Sequence, residues 1–124
     1  MPPGVSGIVS RYDIASTIDL ALQLQPGAEH LFIVTGHSPR DKIWDTRVRA
    51  ALAGFESRLE INYLSDLPMQ ELLRRVASLP AHSVILYIGV LQDGAGVDFV
   101  PREVAEKLTA VANAPAYSMF MNYL

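Results

Sequence analysis

"SVILYIGV", residues 83–90, places Val84, Ile85, Leu86, Tyr87 and Ile88 in a row with no charged or amide side chain and no apolar–polar alternation. A strand with one wet face alternates; a strand covered on both faces reads as an unbroken apolar run. The stretch therefore predicts a central strand of a parallel sheet, with helices on either side of it.

The neighbouring segments fit that prediction. "LFIVTGHSPRD", residues 31–41, begins as a buried strand over 31–35 and breaks at Thr35 and Gly36 into His37, Ser38, Pro39 and charge. "LEINYL", residues 59–64, reads as a strand, and "AYSMFM", residues 116–121, as a last one. Helical spacing lies between them. In "DIASTIDLALQL", residues 13–24, Ile14, Ile18, Ala21, Leu22 and Leu24 recur at helical intervals, with Asp13 as N-cap and Pro26-Gly27 closing the segment. Ile43, Trp44, Arg47, Val48, Ala51, Leu52 and Phe55 mark one face of a second helix, punctuated by Gly54. "PMQELLRRVASL", residues 68–79, gives a third helix. "PREVAEKLTAVAN", residues 101–113, gives a fourth, with Pro101 at its first position and Val104, Leu108 and Val111 along one stripe.

About four strands alternating with four helices define an α/β chain. Right-handed crossovers then place helices on both faces of a mostly parallel sheet whose strand order reverses at the first strand. The expected architecture is a three-layer, Rossmann-like or flavodoxin-like lobe. At 124 residues the chain suits one such domain with a single set of layers.

Composition narrows the function classes. Half of the residues are hydrophobic and there is no low-complexity tract, so the chain is globular in type. A net charge of −3, with no basic run longer than Arg74-Arg75, supplies no footprint for nucleic acid. No apolar run approaches the roughly 18 residues of a spanning helix, so no direct membrane insertion is expected. The absence of cysteine removes disulfides, thiolate metal sites and a Cys nucleophile.

In an open sheet of this kind ligands sit beyond the carboxyl ends of the strands, where the strand order reverses and helix N-termini present unpaired N–H groups. Four segments should converge there: residues 35–41, 65–67, 89–96, and the end of the last strand near Tyr117 and Ser118. Several of these residues also suit purely local roles. Ser38 and Asp41 can cap the second helix, Asp66 the third, and Gly94 to Gly96 can form a surface turn. Catalysis is disfavoured, because Gly36-His37-Ser38-Pro39-Arg40 lacks the second glycine of a nucleophile elbow and no His–acid pair is suitably placed in the sequence. No phosphate-loop or dinucleotide motif is present. The carboxyl end of the first strand offers Thr35 and Gly36 rather than the acidic cluster of a phosphoacceptor domain. His30, His37 and His82 are scattered between opposite edges, so no metal site is expected.

"GVSGIVSRYDIASTIDLALQLQPGAEHLFIVTGHSPRDKIWDTRVRAAL", residues 4–52, resembles the second lobe of ABC-transporter-type substrate-binding proteins of the type 1 periplasmic-binding fold, and the likeness continues almost to the end. It is most similar to the versions associated with sensor histidine kinases, through the stretch Val-Thr-Gly-x-Ser-x-x-Asp at 34–41. In that family two α/β lobes close over a small ligand. The chain crosses between them near a "GVSG" segment, matched at 4–7, and again after a strand like "APAYSMFMNYL", residues 114–124.

The resemblance implies that residues 1–124 are one lobe of a larger extracytoplasmic receptor, paired with a first lobe and feeding a kinase or a permease. By the same resemblance Thr35, Gly36, His37 and Ser38 would line the ligand cleft, helped by Asp66, Gln92, Asp93 and Tyr117. A ligand carboxylate or amide oxygen would meet the N-terminus of the second helix, and Asp66 or Asp93 would receive an amine or hydroxyl. The lobe would be neither an enzyme nor a cofactor carrier. Two other readings stay open: a free-standing flavodoxin-like domain holding a flavin or phosphate at 35–38, and a lobe that has lost its ligand and serves as a homodimer surface.

Overall fold

The computed structural model describes residues 14–118. The expected Asp13 cap, the "GVSG" crossing and the end of the last strand fall outside those residues. The order is α1 (Ile14–Leu24), β1 (His30–Thr35), α2 (Pro39–Ala51), a 3-10 turn (Ala53–Phe55), β2 (Glu60–Leu64), α3 (Met69–Val76), β3 (Ser83–Gly89), α4 (Pro101–Val111) and β4 (Ala116–Ser118).

The four strands form one parallel sheet in the order β2-β1-β3-β4. The order reverses at β1, as the alternation predicts, because β1 connects to β2 on one side while β3 pairs with its other side. His30 of β1 is level with Glu60 of β2 and Ser83 of β3, so the three strands start together at the amino edge.

The alternation of side chains along β1 divides the interior into two cores. Leu31 and Ile33 join Val84, Leu86 and Ile88 of β3 beneath Ile18 and Ala21 of α1, Val48 of α2 and its C-cap Leu52. Val34, with Ile85 and Tyr87, packs on the other face against Met69, Leu72 and Val76 of α3 and Val104, Ala105 and Leu108 of α4. Sheet and helices therefore form a three-layer α/β domain. The unbroken apolar run of β3 has its physical reason here: six consecutive residues, from Ser83 to Ile88, are buried against one layer or the other.

Three expectations about helix faces are corrected, the first at Leu24, which ends α1 exposed rather than on its buried stripe. Ile43 leaves the buried face of α2 and is 55% exposed, because Asp41 and Val48, not Ile43, face inward. Val111 is likewise exposed, at the end of an α4 stripe that Val104 and Leu108 bury.

Candidate functional site

The β1–α2 loop is set by its own sequence. Ser38 is the N-cap of α2: its hydroxyl accepts from the Asp41 N–H at 3.0 Å, and the Asp41 carboxylate accepts from the Ser38 N–H at 3.2 Å. This reciprocal box, with Pro39 in the first turn, satisfies donors that a helix start otherwise leaves free. The buried Asp41 also reaches across the carboxyl edge. Its Oδ2 accepts from Leu91 N–H at 3.0 Å and Gln92 N–H at 3.3 Å, while His37 N–H donates to the Gln92 carbonyl at 2.6 Å. One carboxylate thus joins the loop after β1 to the loop after β3.

The third loop is fastened by Asp93. Burial alone would push its carboxyl up, but the N–H groups of Val97, Met69, Ala95 and Gly96 outweigh that and hold it below the ordinary carboxylate value. Met69 N–H, at 2.8 Å, lies at the start of α3, so Asp93 caps that helix from a distant loop. Asp66, expected as the cap, does not serve there.

Two glycines let the loops approach this closely. A Cβ on Gly36 would lie 2.3 Å from Asp41 Oδ2 and 2.7 Å from the Gln92 carbonyl oxygen, and one on Gly94 would lie 1.9 Å from the Asp66 carbonyl oxygen. The space beneath the carboxyl edge is therefore occupied by the protein's own backbone and carboxylates.

What stands outward is a polar cluster. Asp66 adopts a left-handed backbone, φ 63°, and its Oδ1 meets His37 Nδ1 at 2.8 Å and Lys42 Nζ at 2.5 Å. The Lys42 hydrogen bond, helped by that of His37, holds the Asp66 carboxyl below its ordinary value. Each of the three side chains is nearly half exposed. Below them Thr35 Oγ1 and Ser65 Oγ lie 2.7 Å from each other, and both approach Asp45 Oδ1, at 3.3 and 3.2 Å.

The structure thus brings Thr35, Gly36, His37, Ser38, Asp66, Gln92 and Asp93 to one edge. It does not bring Tyr117 there. That side chain joins the core under α1 and α2, and its hydroxyl accepts from Gln25 Nε2 at 3.3 Å, toward the segment that feeds the amino edge. Gln92 holds Asp98 through its side chain at 3.3 Å. Sequence reasoning missed Lys42 and Asp45, whose positions one and two turns into α2 were the available signal. The expected welcome for a ligand carboxylate at the start of α2 is also corrected, because the Asp41 carboxylate already occupies that end. Among the described residues no group of three or more His or acidic side chains could hold a metal ion, and no helix is long and apolar enough to cross a membrane.

Architecture and edge together define a three-layer α/β domain of the Rossmann-like or flavodoxin-like class, with its polar cluster between α2 and the loops after β1 and β2. No family model matches the chain, and no curated protein matches it.

Proposed function

We propose that this chain is the ligand-binding lobe of a two-lobed, extracytoplasmic receptor of the periplasmic-binding type, passing occupancy to a sensor kinase or a permease. The observation that carries the reading is a platform in which Asp41 and Asp93 join the loops by hydrogen bonds and Gly36 and Gly94 let them approach, and from which the half-exposed His37, Lys42 and Asp66 stand out. A half-site of this sort needs no pocket of its own, because the pocket forms when a companion lobe closes over it. The exposed donors and acceptors favour a polar small molecule; Asp66 would receive an amine or hydroxyl. The lobe performs no chemistry.

The same geometry argues against a flavin or phosphate at 35–38, since a phosphate at the start of α2 would face the buried Asp41 carboxylate. A different observation supports a second reading, an interaction lobe that pairs with another copy: the interior of the carboxyl edge is filled. A thermal-shift screen separates the readings, using this lobe joined to its companion. A metabolite that raises the melting temperature, with no response to flavin mononucleotide, is the expected result. Stabilisation by the flavin would overturn it, and so would a concentration-dependent dimer with no metabolite response.

A further inference from the structure

α3 links β2 to β3 and so passes over β1, which lies between them. Its eight residues rise about 12 Å, while a six-residue strand such as β1 extends about 20 Å. The helix is too short to cover the strand, and Phe32 of β1 is left partly exposed in an open groove of about 500 Å³. That volume is in the range of small-molecule sites.

Leu79 and Pro80 continue the apolar lining, and Glu71, Arg74 and Arg75 supply charge. One carboxylate serves two guanidiniums: Arg74 Nη2 donates to Glu71 Oε1, and Arg75 Nε to Glu71 Oε2 at 3.1 Å. Neither arginine has another acidic partner among the described residues, so one positive charge is in excess and the terminal nitrogens of Arg75 remain able to donate. The far wall is held in place. The Asn113 amide exchanges two hydrogen bonds with the Leu79 backbone, at 3.1 and 2.9 Å, and Ser83 Oγ donates to the Pro80 carbonyl at 2.6 Å.

We propose that this groove is a second ligand site, toward the amino edge and independent of the polar cluster, and that it takes a small, flat aromatic carboxylate. The carboxylate accepts the paired terminal N–H groups of Arg75, a geometry that suits a planar guanidinium. The aromatic body lies on Phe32 and against Leu79 and Pro80.

The test is a backbone-amide NMR titration of the chain with naphthoate, and with naphthamide as its uncharged counterpart. Saturable shifts should centre on Phe32 and residues 71–80 with naphthoate and be absent with naphthamide. Arg75→Gln should weaken binding about tenfold or more, and Glu71→Gln, which frees both guanidiniums, should tighten it. Arg75 is exposed and Glu71 partly so, and the same spectra report whether the variants are folded. No saturable shift, equal binding of naphthamide, shifts centred on His37 and Asp66, or a folded Arg75→Gln chain that binds as well as wild type would overturn the proposal.

Discussion

At Asp93 two opposing effects meet in one side chain. Burial raises a carboxyl pKa, and hydrogen bonds to the ionised form lower it; four backbone N–H groups prevail here. Because the folded value lies below the ordinary 3.8, Asp93 contributes stability that is fully present above pH 3.8 and is lost as the pH falls through the folded value. Urea unfolding against pH should show this fall below about pH 4, and Asp93→Asn should flatten it while lowering stability near neutrality by about 2 to 3 kcal/mol. Gly94 is a second sensitive position. A methyl group there meets the Asp66 carbonyl oxygen at 1.9 Å, so Gly94→Ala must push its loop away from the one after β2 and should cost more than about 2 kcal/mol in the same assay. Asp41 was legible as structural from the Ser38-x-x-Asp41 spacing. The role of Asp93 was not, because the N–H groups it serves include that of Met69, 24 residues away.

The elements are legible from periodicity where one face dominates. The unbroken run of β3 and the strand-to-helix switch after Thr35 mark the sheet as parallel, and the cap of α2 follows from Ser38. Ile43 misleads because an apolar residue at helical spacing says nothing about which face the helix turns inward once Asp41 is drawn under the loops. α3 contrasts with α2: Pro68 at its N-cap supplies no side-chain bond, so its start depends on Asp93, whereas α2 carries its own box. Ser38→Ala should therefore destabilise the chain by about 1 kcal/mol, with Ser38→Asp retaining most of the stability. Hydrogen exchange should show the loss confined to the first turn of α2.

Across the molecule, two cores lie on either side of one sheet, and the candidate site is the polar cluster left exposed at its carboxyl edge. Strand ends and loops, as read from the sequence, locate seven of the eight expected residues at this edge. Tyr117 was misplaced because it pairs with Leu86, in the middle of β3, and its partly buried side chain packs against the core under α1 and α2. Lys42 became visible only when the loop after β2 brought Asp66 beside α2. The most direct test of the proposed half-site is calorimetric titration of a stabilising metabolite into this chain joined to the companion lobe that the proposal requires, repeated with His37→Ala and with Asp66→Asn, a substitution that tolerates the left-handed backbone. Each variant should weaken binding about tenfold or more while remaining folded; unchanged affinity in both would contradict a ligand half-site at the carboxyl edge.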